Sequence, residues 1–199
     1  MRTLALLFAA SFVLTALGLT FWGLGTYNEL VHKDETVNGA WAQVQNVYQR
    51  RADLIPNLVA TVQGYATHER TTLAAVAQAR ASATAIQLTP EALRDPTALA
   101  RFQAAQQHLS GALARLLVTL EKYPTLKADR GFLQLQAQLE ETDNRIAVER
   151  ARFNDAVRDY NTRVALFPGN LVSGRLGYTE RPYFQADAGA QKAPRVEFR

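Results

Sequence analysis

The sequence predicts an all-α chain: an N-terminal transmembrane helix followed by an antiparallel four-helix bundle of long helices and a short irregular C-terminal tail. Three observations carry this. Residues 3–25 read TLALLFAASFVLTALGLTFWGLG and hold no charge. From Tyr27 to about Phe167 the chain is rich in Ala, Leu, Gln, Arg and Glu and shows no strand-like alternation, so helix is the default. Within that stretch apolar residues recur at helical spacings between breaks marked by proline.

A length of 199 residues with 48% hydrophobic and 20% charged side chains suits one compact domain beside an anchor. The formal charge is +4, but the 22 basic and 18 acidic residues are interleaved, which describes a solvated helical surface and not a nucleic-acid site. The absence of cysteine excludes disulfides, thiolate metal ligands and cysteine nucleophiles. The expected division is an anchor at 3–25, a helical domain at 26–185 and a flexible tail at 186–199, where glycine, proline and polar residues replace the stripe.

At about 1.5 Å per residue, about 23 uncharged residues span about 34 Å, enough for a hydrocarbon core of about 30 Å. Trp22 and Tyr27 stand at its downstream end, where amphipathic rings favour the headgroup layer. A cleaved signal peptide is the competing reading. Its apolar region usually runs about 7 to 15 residues to a small-residue cleavage site. Here the run is longer, and Ala9, Ala10 and Ser11 lie in its middle, so the segment reads as an uncleaved anchor to the lipid bilayer. Arg2 ahead of the span and Lys33 after it give a small basic excess on the N-terminal side. By the positive-inside rule this favours a domain on the non-cytoplasmic side, with the opposite orientation left open.

The first helix of the domain is expected to emerge from the membrane without interruption, from about Tyr27 to Arg51. A second is expected to start at Asp53, a plausible N-cap with Pro56 in the first turn, and to carry Leu54, Leu58, Val62, Tyr65, Leu73 and Val76. The alternative is one long helix kinked at Pro56, because proline also removes the bond to the carbonyl of Ala52. Thr89-Pro90-Glu91 reads as the start of a third helix with a stripe of Phe102, Leu109, Leu113, Leu116 and Leu120, ended by Tyr123-Pro124. A fourth, from about Lys127 to Phe167, carries Leu135, Leu139, Ile146, Phe153, Val157, Tyr160 and Val164, a near-heptad seam of coiled-coil type. Long helices joined by short loops favour an antiparallel bundle. After Pro168 no stripe continues, and Leu171, Val172, Leu176, Tyr178, Tyr183 and Phe184 are candidates to dock back on the bundle.

Little in this pattern points to catalysis. His32, His68 and His108 form no i, i+4 pair, and the position four after His68 is Thr72, so exposed histidines are expected and no metal or other cofactor. Glu121, Glu140, Glu141 and Asp143 sit in charged helical context, which a solvated face explains. The most unusual stretch packs Gln49, Arg50, Arg51, Asp53 and Asn57 around Pro56. As a functional site these five would form a polar binding patch; structurally, Asp53 would cap a helix while the arginines pair with acids on a neighbour, and the structural account is favoured. Asn144, Arg145, Glu149, Asn154 and Asn161 form a second polar series, read as architectural because Asn at a seam fixes register.

These stretches together resemble the LemA family of bacterial membrane-anchored proteins. The pieces that carry the resemblance are YNELV (Tyr27 to Val31), NGAWAQVQNVYQRRADLIPNLVATVQGYATHE (Asn38 to Glu69) and NRIAVERARFNDAVRDYNTRVALFPGNLV (Asn144 to Val172), followed by Leu176-Gly177-Tyr178 and Tyr183-Phe184. So long a run in matching order is highly specific. Phe153 departs from the Tyr usual before Asn154, and Ala165-Leu166 is more apolar than the pattern. The resemblance implies a four-helix bundle on a single membrane helix in the bacterial inner membrane. It brings no catalytic residues.

The expected function is a non-enzymatic interaction or scaffold module at the cell membrane, with the bilayer and either protein partners or further copies of itself as partners, and neither nucleic acid nor metal. The alternative is a ligand-binding or enzymatic domain with a polar pocket near Pro56. Lipid remodelling is disfavoured by the net acidic run Glu29, Lys33, Asp34 and Glu35.

Overall fold

The computed structural model describes residues 2–66 and 68–185, and among these it is all-α. The tail expected at 186–199 lies outside the described residues. The helices are α1 (Arg2–Tyr65), α2 (Arg70–Ala85), α3 (Pro96–Leu120), α4 (Pro124–Lys127), α5 (Arg130–Ala165) and α6 (Gly169–Leu176), with a 3-10 turn at Ala92–Arg94 ahead of α3.

Helix α1 runs 64 residues without a break, about 96 Å at 1.5 Å per residue. In its apolar N-terminal part Leu6, Phe8, Phe12, Leu14, Leu19 and Phe21 are all exposed, and only near its end does Trp22 meet the domain, at Phe167. From Thr26 onward one face turns inward: Thr26, Leu30, Asp34, Val37, Trp41, Val44, Tyr48, Arg51, Ile55, Leu58 and Val62 are all buried. From Leu30 onward these positions step by four and three in strict alternation, the heptad seam of helices that pack along their length.

That seam decides between the two readings of Pro56: one continuous helix, and no second helix starting at Asp53. Asp53 caps nothing, since it is exposed in the middle of α1, and Pro56 lies inside the helix. Proline at position 56 deprives the Ala52 carbonyl of its donor, a defect of about 3 kcal/mol in an unaided helix. The structure supplies a substitute. Arg80 Nε, on α2, donates to the Ala52 oxygen at 2.7 Å. Burying Leu58 and Val62 beyond the proline is worth about 1.5 to 3 kcal/mol each, so continuing the helix wins. Helix α1 ends at Tyr65 and α2 begins at Arg70, so Leu73 and Val76 belong to α2.

Cross-contacts give the chain directions. Glu29 pairs with Arg163, Arg51 with Asp143, and Tyr65 with Asp129, so α5 runs antiparallel to α1 along its whole domain portion. Helix α2 folds back along α1, with Ala66 near Arg70 and Ala52 bonded to Arg80. Helix α3 reverses again against α2, from Phe102 beside Ala83 to Thr119 beside Thr71.

The apolar interior falls into two clusters. The cluster nearer the apolar segment joins Leu30 to Tyr48 of α1 with Leu99 and Phe102 of α3, Ile146 to Val164 of α5 and Phe184 of the segment that follows α6. The farther one joins Ile55 to Val62 with α2, Leu109 to Leu120 of α3, Leu126 of α4, and Phe132 and Leu139 of α5. Trp41 centres the nearer cluster, its ring 5.3 Å from Phe102, 5.7 Å from Phe153 and 6.0 Å from Phe184. Phe153 is fully buried, its ring meeting those of Trp41 and Phe184 edge-on.

Two further boundaries differ from expectation. Thr89-Pro90-Glu91 opens only the 3-10 turn, while Asp95 caps α3 by accepting from Thr97 N–H at 2.8 Å with Pro96 at the first position. Beyond Pro168 the chain forms α6, closed by Gly177 at φ +75°, a left-handed residue that lets Tyr178 N–H bond back to Ser173.

Two predictions follow from these helix ends and defects. Arg80→Ala should lower unfolding free energy by roughly 1–3 kcal/mol in wild-type background, and by clearly less alongside Pro56→Ala, which returns the missing N–H. Denaturant titration of the full chain in detergent reads both, and equal losses in the two backgrounds would refute the substitution of one donor for the other. At the α5 start, Asp129 accepts from Phe132 N–H at 2.9 Å and from the Tyr65 hydroxyl at 3.1 Å. These bonds, the Phe132 one foremost, hold its carboxyl below the ordinary carboxylate range. A depressed folded value means the stabilisation is present above the unfolded carboxylate pKa, about 4, and is lost as pH falls through the folded one. Asp129→Ala should therefore melt below wild type at pH 7, and the two melting temperatures should converge under acid conditions.

Candidate functional site

Two polar clusters sit on the buried seam of α1. The first surrounds Arg51, which is 3% exposed and separates the two apolar clusters. Its Nη1 donates to Ser110 Oγ at 3.0 Å and to Asp143 Oδ1 at 3.3 Å. Its Nη2 donates to the Gln106 side-chain oxygen and, at 3.4 Å, to the Gln106 carbonyl. The guanidinium also lies 5.2 Å over the Tyr48 ring, a cation–π contact. Only Nε is left without a partner. A half-open cleft of about 550 Å³ adjoins this layer between α1, α3 and α5, and Arg51, Gln106, Gln107, Ser110, Asp143 and Arg150 are among its walls.

The five residues expected as a polar patch do not converge. Arg51 alone lines the cleft. Gln49 donates to Asp53 at 2.8 Å along the exposed side of α1, and Arg50 faces Glu141 at 3.7 Å in solvent, a pair worth about 0–1 kcal/mol. Asn57 is exposed, one turn from Thr61. Nor is there a helix break at Pro56 for a pocket to occupy. The arginines do pair with acids on a neighbouring helix, as the structural account required, but Asp53 is no cap. The three histidines are exposed, His68 in the turn between α1 and α2 and not on a helix.

No motif in the sequence marks the second cluster. Asp34, 8% exposed, receives Arg181 Nη2 at 2.7 Å and Nε at 3.0 Å, and Arg94 Nη2 at 3.1 Å. Arg181 is itself 2% exposed and stacks 5.7 Å over the Tyr160 ring. Burial, followed by the nearby Asp34 charge, pushes the Tyr160 phenol above its ordinary pKa, so it stays protonated and donates to the Thr179 carbonyl at 3.0 Å. The one signal available was periodic: Asp34 falls at a seam position, four after Leu30 and three before Val37.

Around this ion pair the segment Thr179–Gln185 lies along α5 without regular structure, held by side-chain amides that imitate a strand partner. Asn161 accepts from Arg181 N–H at 2.8 Å and donates to the Arg181 carbonyl at 2.9 Å. One heptad earlier Asn154 treats Phe184 alike, at 2.9 and 3.2 Å. Gln103 on α3 holds Gln185 the same way, at 3.5 and 3.1 Å. Arg150 adds a bond to the Gln185 carbonyl at 2.9 Å and covers the Phe184 ring. Asn154 and Asn161 are therefore architectural as expected, but they fix the segment Thr179–Gln185 and not the register between helices. Of the rest of that series, Arg145 pairs with Glu141 and Glu149 with Arg152 on the α5 surface. Of the docking candidates, Phe184 is buried and Val172 and Tyr178 pack at its edge, whereas Leu171, Leu176 and Tyr183 stay exposed.

Removing one partner of a buried ion pair strands the other charge, at a cost of about 3–5 kcal/mol. Asp34→Ala should thus destabilise strongly and free Thr179–Gln185 for amide exchange, and Asp34→Ala with Arg181→Met should recover part of the loss. Exchange mass spectrometry reads the segment directly, and unchanged protection in Asp34→Ala would sink this account of what pins it.

Comparison with known proteins finds relatives along most of the sequence. Protein LemA of Metamycoplasma hominis is 25% identical over 179 residues, which cover 90% of this chain and 78% of that protein. Magnetosome protein MamQ 2 of Paramagnetospirillum magneticum is 32% identical over 74 residues, 37% of this chain and 27% of that protein. Magnetosome protein MamQ of Magnetospirillum gryphiswaldense is 29% identical over 73 residues with the same coverage. The family model described as LemA family matches residues 40–198, which takes in Trp41, the Arg51 layer and both asparagines that hold Thr179–Gln185, and the chain belongs to that family.

Proposed function

We propose that this chain crosses a bacterial inner membrane once, through residues 3–25, and holds its helical domain at the bilayer as a non-enzymatic interaction module. The carrying observation is the continuity of α1: one helix contains the single segment among the described residues long and apolar enough to cross a membrane, and then supplies the seam on which the domain packs. That apolar window is wholly unburied in the fold, as a lipid-facing span requires. The charged and amide side chains that could otherwise serve chemistry, Asp34, Arg51, Asn154, Asn161 and Arg181, are bonded to the chain's own polar groups, so they stabilise a shape. Tethering confines partners to a thin layer, where weak contacts with proteins or further copies gain effective concentration. The small basic excess ahead of the span favours a domain on the non-cytoplasmic side.

A second reading rests on the cleft beside Arg51: a buried guanidinium with Arg150 and several amides is a donor-rich setting for a small anionic ligand. In-membrane cross-linking of the full chain separates the two. The module reading expects specific adducts lost when the exposed faces are altered, with no thermal shift from carboxylate or phosphate ligands. Monomer alone, together with a ligand shift abolished by Arg51→Met, would reverse the order.

A further inference from the structure

The corner between α5 and α6 carries an apolar surface that the domain itself leaves uncovered. Leu166, Phe167, Leu171 and Leu176 all project to the outside, Phe167 with 68% of its surface free. Four large apolar side chains exposed within one short stretch of an otherwise well-packed domain mark a contact surface. The corner is rigid. Gly169 packs so close to the Arg163 carbonyl that an added Cβ would lie 1.8 Å from that oxygen, Asn170 N–H bonds to Leu166, and Ser173 Oγ, facing inward, donates to the Val164 carbonyl at 3.3 Å.

Helix α1 tells how deep this corner sits. Because it is unbroken, position along it measures height relative to the apolar run, which ends at Gly25. The Phe167 ring touches the Trp22 ring, centroids 5.6 Å apart. Trp22 stands about 4 to 5 Å inside the end of that run at 1.5 Å per residue. Headgroup layers are about 5 to 7 Å thick on each side of the hydrocarbon. Phe167 therefore falls at the boundary between acyl chains and headgroups, whichever side the domain occupies. A second pair agrees: Tyr178, just past α6, meets Tyr27 of α1 edge-on at 6.4 Å, so Trp22, Tyr27 and Tyr178 form an aromatic belt contributed by both elements.

We propose that the α5–α6 corner is a second membrane contact, with Leu166, Phe167, Leu171 and Leu176 seated in the interface of the bilayer that residues 3–25 cross. This rests on reading that segment as a span. The occupant is the lipid surface itself, because the patch is continuous through the Trp22–Phe167 contact with the lipid-facing part of α1. Its drive is apolar insertion, so zwitterionic lipid is sufficient and salt has little effect. Together with α1 the corner gives two points of attachment and fixes the tilt of the domain.

Spin labels test this in the full chain, which has no cysteine to remove. Phe167→Cys, Leu171→Cys and Leu176→Cys, each labelled at an exposed site and reconstituted in phosphatidylcholine vesicles, should gain accessibility to oxygen and lose it to a water-soluble nickel chelate. Val118→Cys on α3, exposed at the far end, should behave oppositely. Leu17→Cys reports the span alone. Water-accessible corner labels with Leu17 in lipid would overturn the second contact and leave the span standing. Water-accessible Leu17 would overturn both. Corner labels shielded from both relaxants and broadened by dipolar coupling would replace lipid with a second copy of the chain, and so also overturn the proposal.

Discussion

Helix α1 is common to both apolar clusters, and it carries two charges, Asp34 and Arg51, on the face it buries. An isolated charge in a protein interior costs several kcal/mol, so each must be answered by groups arriving from elsewhere in the chain. The answers define the topology. Arg51 recruits α3 through Gln106 and Ser110 and α5 through Asp143, and Asp34 recruits Arg94 from the turn before α3 and Arg181 from beyond α6. A packing of α1 shifted by one heptad would satisfy the apolar seam almost equally well, because the four-three alternation repeats. It would strand both charges. The ion pairs thus select one register among several that hydrophobic burial alone would permit, which is the best-attested use of buried polar groups in helical assemblies.

How far the sequence disclosed this fold follows from the range over which each signal acts. The stripes of α3 and α5 were legible because periodicity is local: Phe102, Leu109, Leu113, Leu116 and Leu120 are all buried, as are Ile146, Phe153, Val157, Tyr160 and Val164. Pro56 leaves a hairpin and a continuous helix both open, because the rule against proline within a helix considers only the helix. The donor that repairs the Ala52 carbonyl is 28 residues away on another element. Asp53 looked like a cap only once the break was assumed. Asn154 and Asn161 stood out as polar residues on a seam, but their partners, Phe184 and Arg181, are backbone groups that no side-chain pattern can announce. Arg51 was visible inside a polar patch, whereas its separation from Gln49, Arg50, Asp53 and Asn57 depends on the facing of α1, and that facing was lost with the supposed break.

The amides that hold Thr179–Gln185 have an energetic logic of their own. An extended segment without a strand partner leaves N–H and C=O groups unpaired, and each buried one costs about 1–3 kcal/mol. A side-chain amide carries one acceptor and a donor side by side, so a single Asn or Gln satisfies both groups of one residue. Spacing Asn154 and Asn161 by seven residues keeps them on the same face of α5, about 10 Å apart along its axis, the length of about three residues of extended chain. Arg181 and Phe184 are three residues apart. Helical and extended rises therefore match over one heptad, and the segment can be clamped at both ends without strain.

This matching ties the two ends of the domain to the same place. The segment Thr179–Gln185 closes over Trp41 through Phe184 and ion-pairs to Asp34, both on α1, while the α5–α6 corner that precedes it meets Trp22. A helix joined to its domain by a flexible linker would pass on neither tilt nor rotation. Here the seam begins at Thr26, immediately after the apolar run, so no loop exists in which such motion could be absorbed. Rotating the N-terminal segment about its axis turns Leu30, Asp34 and Trp41 with it, and Asp34 cannot turn without parting from Arg181. Rotation or tilt of residues 3–25 is therefore carried directly to the ion pair and, through Arg181, to the segment Thr179–Gln185.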